Sequence, residues 1–182
     1  IRRTKVFYYP GFGLSEPFEI EDADVDSFEV IDDSYAKDVS RVYHDGVAVS
    51  DSDPATFEVV DNSFARDSRH VYLNGIIHSN DPANFENVAG NIYRDSQHIY
   101  WSTEPVSDDP SNLVILGDSD SYTYFKDSTT IFIQGNPIQD ADPATFSIFK
   151  DAYSRDASHI FYFDQTISNA DLTSFEIIDS PY

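Results

Sequence analysis

The sequence predicts an all-β chain of about six short antiparallel units of roughly 29 residues each. Three observations predict it. A two-part motif recurs in register along all 182 residues. Turn-forming residues stand at fixed places in every copy. The acids are 25 Asp against 8 Glu, with only four Lys, where a helical surface would favour Glu and Lys.

The first part of the motif reads aromatic-x-[Lys/Arg]-Asp-x-x-x-[Val/Ile]-[Tyr/Phe]. It runs from Tyr35 through Asp38 to Tyr43, from Phe64 through Asp67 to Tyr72, and from Ile92-Tyr93 through Asp95 to Tyr100. It returns from Tyr124 through Asp127 to Phe132, and from Tyr153 through Asp156 to Phe161. The second part is Asp-Pro-x-x-Phe, at Asp53 to Phe57, Asp81 to Phe85 and Asp142 to Phe146. Degraded copies stand at Asp24 to Phe28, Asp109 to Leu113 and Asp171 to Phe175. The anchors Phe28, Phe57, Phe85, Leu113, Phe146 and Phe175 are evenly spaced, except for a longer interval between Leu113 and Phe146. That interval is accounted for by a small insertion at Gly117-Asp118-Ser119-Asp120, and the first unit carries another at positions 10–17.

Within a copy, the elements follow in order. Phe57–Asp61 is aromatic and β-branched, a strand. Phe64–Arg66 is the second strand, after a two-residue break. Val71–Leu73 is the third, followed by Asn74-Gly75, the strongest short hairpin signal, and the return strand Ile76–His78. Asp-Pro-x-x-Phe suits one helical or 3₁₀ turn, because Asp caps well and Pro is favoured in the first turn.

The Lys-Asp-x-x-x-Val-Tyr core, with Asn-Gly after it and Ala-Asp-Pro-x-Thr-Phe between copies, resembles the DKNYY family of bacterial repeat proteins. The resemblance covers essentially the whole chain. It implies an exported bacterial protein and no particular activity, the family being of uncharacterised function. The chain departs from the family's Lys-Asn after the Asp, with Val39-Ser40, Ser68-Arg69 and Ser96-Gln97 in that place, which makes the loop less basic.

One repeat domain is expected over residues 1–182, as a half unit at 1–34 and units at 35–63, 64–91, 92–123, 124–152 and 153–182. Aligning Val6 on Val71 starts the chain in mid-unit, and Phe175–Tyr182 supplies the first half of a unit. The start at Ile1 and the lack of Met read as a processed or truncated piece. The expected architecture is a closed propeller-like ring with the termini sharing one unit. An open β-solenoid or array is the alternative, because a four-stranded blade usually takes about 40 residues.

A formal net charge of −22 argues against nucleic acid, which needs clustered Lys and Arg. No apolar run is long enough for membrane insertion. Aromatics at 15% argue against disorder. The absence of Cys removes disulfides and thiolate metal sites. No catalytic motif is present, so no enzyme is expected. The recurrent Asp38, Asp67, Asp95, Asp127 and Asp156 read as turn residues accepting from backbone N–H groups two or three places on. His70, His98 and His159 share one register and read as solvated polar positions rather than zinc ligands. His44 and His78 lie near hairpin turns with no evident partner. Trp101 is open to stacking on a sugar ring, although a lone Trp more often packs.

The candidate metal ligands are Asp22, Asp24 and Asp26, then Asp51 and Asp53, then Asp140 and Asp142, carboxylates two places apart that suit a hard cation such as calcium. The competing reading of these residues is cap and turn. No cofactor is required; calcium, where it binds, is expected to raise the melting temperature. The expected role is a non-enzymatic extracellular scaffold or interaction module binding protein or glycan. The alternatives are a self-assembling filament or adhesion subunit that pairs with copies of itself, and a hydrolase with paired Asp.

Overall fold

The structure is a computed structural model and describes residues 5–11, 16–61, 63–119 and 122–178. The chain is all-β, with six antiparallel sheets among the described residues. It divides into two compact units, residues 1–85 and 86–182.

In the first unit, β1 (Phe7–Tyr8) pairs with β2 (Phe18–Glu19). Next comes a four-stranded sheet of β3 (Glu29–Val30), β4 (Tyr35–Lys37), β5 (Val42–His44) and β6 (Val47–Ala48). A second holds β7 (Glu58–Val59), β8 (Phe64–Arg66), β9 (Val71–Leu73) and β10 (Ile76–Ser79). The second unit has three more: β11 (Glu86–Ala89) to β14 (Glu104–Ser107) through β12 (Ile92–Arg94) and β13 (Ile99–Trp101); β15 (Val114–Ser119) to β18 (Asn136–Pro137) through β16 (Tyr122–Lys126) and β17 (Ile131–Ile133); and β19 (Ser147–Lys150) to β22 (Gln165–Thr166) through β20 (Tyr153–Arg155) and β21 (Ile160–Tyr162). Every four-stranded sheet is a simple meander, each strand pairing with the next in sequence.

The four strands expected in one copy all form. The sheets also set the phase of the repeat: the sheet over 58–79 spans the boundary expected at 63/64, because the strand after Asp-Pro-x-x-Phe pairs forward with the aromatic strand. Of the insertion expected at 117–120, Asp120 lies outside the described residues; the strands on either side, β15 and β16, are longer than their counterparts in the other copies. At the ends, β1 takes β2 as its partner, and residues 175–178 carry no strand.

Turn chemistry explains the hairpins. Asp45-Gly46, Asn74-Gly75 and Gln134-Gly135 have φ of 49° and 77°, 50° and 74°, 49° and 76°. Both central residues are left-handed, the type I′ geometry that matches strand twist. Asp-Pro-x-x-Phe makes the expected single turn. The N–H of Thr56 donates to Asp53 O, that of Asn84 to Asp81 O, and that of Thr145 to Asp142 O, each at 3.2 Å. The degraded copy at Pro110–Asn112 is a 3₁₀ turn.

Successive residues on a strand face opposite sides. Val42 and Tyr43, Val71 and Tyr72, and Ile160 and Phe161 are all buried, so both faces of these third strands are covered. Hence the apolar run is continuous there rather than alternating. Within each unit a linker aromatic fills the space between two successive sheets. Phe57 lies 5.2 Å from Tyr35 of one sheet and 5.8 Å from Tyr72 of the next, ring centre to ring centre. Phe146 sits likewise between Tyr124 and Phe161. The tight turns close the packing: a Cβ on Gly75 would come within 2.8 Å of His44 Cβ.

Candidate functional site

The recurrent Asp is buried in each of its five copies, at Asp38, Asp67, Asp95, Asp127 and Asp156. Asp67 is 4% exposed. Its Oδ1 accepts the N–H groups of Arg69 and His70, at 2.7 and 2.8 Å. Its Oδ2 accepts the Tyr72 hydroxyl at 2.8 Å and the N–H of Asp53 at 2.8 Å. Asp38 repeats the pattern with Ser40, Arg41, Tyr43 and Asp24. Asp156 does so with Ser158, His159 and Asp142, and Phe161 in place of the tyrosine. Asp127 accepts Thr129 and Thr130 N–H, and there the Ser107 hydroxyl stands in for the preceding backbone N–H. In the copies of Asp38, Asp67 and Asp156 the turn residue thus also ties its loop to the linker 14 residues before it.

Burial pushes the Asp38, Asp67 and Asp156 carboxyls up. The hydrogen bonds they accept outweigh it and hold all three below their ordinary value. Burial and the bond to Asp38 push the Tyr43 hydroxyl up to about 12, and Tyr72 is raised in the same way by burial and Asp67.

The neighbouring Lys or Arg is structural as well. Lys37 and Lys126 donate to the carbonyls of Pro54 and Pro143, in the linker that follows each sheet. Arg66 and Arg94 pair across strands with Glu58 and Glu86. Arg155 lies over the Phe149 ring, 4.8 Å from its centre, a cation–π contact.

The candidate metal ligands lie in the linkers as turn residues. The Oδ1 atoms of Asp24, Asp53 and Asp142 accept the N–H two places on, at 3.0, 3.0 and 2.9 Å. Oδ2 of Asp53 and of Asp142 accepts the Thr56 and Thr145 hydroxyls. Asp22, Asp51 and Asp140 adopt left-handed φ of 58°, 57° and 61°. The carbonyls of Asp22 and Asp51 receive Arg41 and Arg69. Asp26 is exposed. Among the described residues, no three His, Asp or Glu gather closely enough to hold a metal ion. Asp24, Asp53 and Asp142 therefore serve as caps of their own turns.

His70 and His98 each place Nδ1 3.3 Å from the tyrosine hydroxyl of their own copy, and His159 reaches Asp156. Each is an accessory of its own turn. His44 packs on the Tyr35 ring at 4.8 Å and on Gly75, and His78 packs against Phe64 and Phe85. Trp101 packs rather than standing open: it stacks on Phe125 at 6.1 Å and 9°, and lies against Gly135.

What the sequence did not single out is a groove of about 530 Å³ in the first unit. It lies between the sheet of β3–β6 and the sheet of β7–β10, at the ends bearing the hairpin turns. Asp32, Asp33 and Asp61 give it negative charge; Tyr35, His44 and Val59 give it aromatic and apolar wall. Asp32 and Asp61 keep their turns by accepting N–H groups on Oδ1, while Asp33 is exposed. A smaller groove of about 160 Å³ repeats the arrangement one copy earlier, where Tyr8, Phe7 and Tyr9 meet the same Asp32–Tyr35 segment. The signal was present in the sequence: Asp32-Asp33-Ser34 and Asp61-Asn62-Ser63 occupy the same place in successive copies.

Among known protein families, a family model described as the DKNYY family matches residues 1–75 and again residues 64–182. No curated protein and no solved structure matches the chain.

Proposed function

Since the chain belongs to the DKNYY family, whose repeat accounts for its sheets, we propose that it is a non-enzymatic interaction module whose inter-repeat grooves take basic side chains of a partner protein. The observation that carries this reading is the larger groove, with Asp32, Asp33 and Asp61 beside the Tyr35 and His44 rings. Carboxylates beside aromatic faces suit a cationic group, which gains both charge pairing and cation–π attraction. The recurrent Asp, Lys and Arg are spent on holding turns and linkers, which leaves this groove as the place for an outside ligand. An extracellular setting belongs to the same proposal, supported by the acid-rich, lysine-poor composition. Among the described residues no helix is long and apolar enough to cross a membrane.

Titration with fluorescent oligolysine, oligoglutamate and a neutral chito-oligosaccharide tests it. Oligolysine should bind alone of the three, weaken with added salt, and weaken further in Asp33→Asn, whose carboxylate caps no turn. Binding of the saccharide, or oligolysine binding untouched by the substitution, overturns the reading.

Self-assembly by strand exchange is a second reading. It draws on the first sheet, which among the described residues has two strands where the other five have four, with Phe7 59% exposed. Light scattering behind size exclusion separates the two: an open-ended mass series supports assembly, and a single monomer mass removes it.

A further inference from the structure

Asn74-Gly75 is the single Asn-Gly pair in the sequence. It caps the hairpin between β9 and β10, and Asn74 is exposed on the rim of the larger groove. The Gly75 N–H donates to the Tyr35 hydroxyl of the preceding sheet at 3.0 Å. Tyr35 itself is 6% exposed, held by Val42, Val49 and Phe57. One copy earlier the same hairpin reads Asp45-Gly46, with φ values close to those at Asn74-Gly75.

We propose that Asn74 is a modification site, which deamidates at a rate set by the Tyr35–Gly75 hydrogen bond and adds a carboxylate to the groove. The Gly75 nitrogen gives its proton to hydroxide and attacks Cγ of Asn74. A new N–Cγ bond closes a five-membered imide, the Cγ–Nδ2 bond breaks, and Nδ2 takes a proton from water and leaves as ammonia. Water then opens the imide at one carbonyl to give aspartate, or at the other to give isoaspartate. Water is the only co-reactant, and nothing is oxidised or reduced.

Three features of the site bear on the rate. Glycine puts no Cβ in the path of the attack. The Asn74 side chain is open to water. Against these, an N–H aimed at Tyr35 keeps the nitrogen from turning on Cγ, so the hydroxyl acts as a brake. The aspartyl product fits, because Asp45 holds the same left-handed position one copy earlier. The isoaspartyl product does not, because an extra backbone carbon displaces Gly75, which lies against His44 with no space for even a Cβ. The inference is independent of whether the groove binds a basic partner.

Peptide mapping of the whole chain, aged in mildly alkaline buffer, tests it by the gain of about one dalton at Asn74. Tyr35→Phe should speed the reaction ~2–10-fold, the weight of one hydrogen bond in an opening equilibrium. Val49→Ala, in the same cluster but away from the turn, controls for general loosening. A Tyr35→Phe rate equal to wild type, or no faster than Val49→Ala at matched stability, overturns the proposal. Wild-type chain in urea gives a measurement that needs no variant. Asn74 should deamidate faster there than in the folded chain, and equal rates overturn the brake.

Discussion

The Tyr72 hydroxyl donates to the Asp67 carboxylate at 2.8 Å, both groups buried, and each moves the proton affinity of the other. The carboxylate is held ionised and the phenol is held neutral, so the pair is locked in one protonation state across a wide pH range. Two other copies do without the phenol, using Phe132 and Phe161. The carboxylate is present in all five.

That difference ranks two substitutions. Asp67→Ala strips the acceptor from three N–H groups and one hydroxyl, and should cost about 3 kcal/mol in urea unfolding. Tyr72→Phe leaves the N–H bonds intact and should cost about 1 kcal/mol. Equal costs would mean that the hydroxyl, and not the backbone cradle, anchors the loop.

Stability should fall at both ends of the pH range, with opposite signs of linkage. Asp38, Asp67 and Asp156 have folded values below the ordinary carboxylate value of 3.8. Their contribution is complete above that value and is lost as pH falls through the lower folded values. Tyr43 is raised from 10.0 to about 12. Its contribution is complete below the unfolded value and is lost as pH rises toward the folded one. The urea midpoint followed against pH should decline on each flank, and Tyr43→Phe should flatten the alkaline one.

Two glycines in the second unit separate backbone strain from crowding. Gly90 has φ +51° with nothing within 4 Å of an added Cβ. Gly90→Ala should cost about 1 kcal/mol, the left-handed penalty alone. Gly135 has φ +76°, and a Cβ there would fall within 2.6 Å of Trp101. Gly135→Ala should cost about 2–4 kcal/mol and shift the emission of Trp101, the only tryptophan. An unchanged spectrum would show that the hairpin yields without disturbing the ring.

Calcium should leave the melting temperature unchanged between millimolar ion and chelator. Asp24, Asp53 and Asp142 already accept N–H groups in their turns, and among the described residues no three acids come close enough to hold an ion. A rise of several degrees would require a site that rebuilds these turns around the ion.

The strands and turns were legible because each depends on neighbours in sequence: Asn74-Gly75 marks its hairpin, and Asp53-Pro54 marks its turn. The phase of the repeat was not legible, since a periodic sequence has no intrinsic starting point and only the pairing of Glu58 with Arg66 supplies one. The choice between cap and calcium ligand was not legible either. Two carboxylates two places apart serve equally as cap and as ligand, and the choice turns on N–H groups that side-chain spacing does not reveal. The acidic groove was legible only in its parts, Asp32-Asp33-Ser34 and Asp61-Asn62-Ser63 at one place in successive copies. Asp32, His44 and Asp61 come together only when one sheet stacks on the next, so no single copy contains the site.

Phe57, wedged between Tyr35 and Tyr72, implies an inheritance rule for chains of this kind. Within each unit a linker aromatic joins one sheet to the next in the same way, so the stability of a stretch inside a unit is a sum of like contacts. Excising a whole copy inside one unit brings a linker aromatic against an equivalent pair of rings. Excising a single residue turns every later strand face in that copy to the wrong side. Such a chain should vary in length by whole copies, and the larger deletion should be the milder lesion.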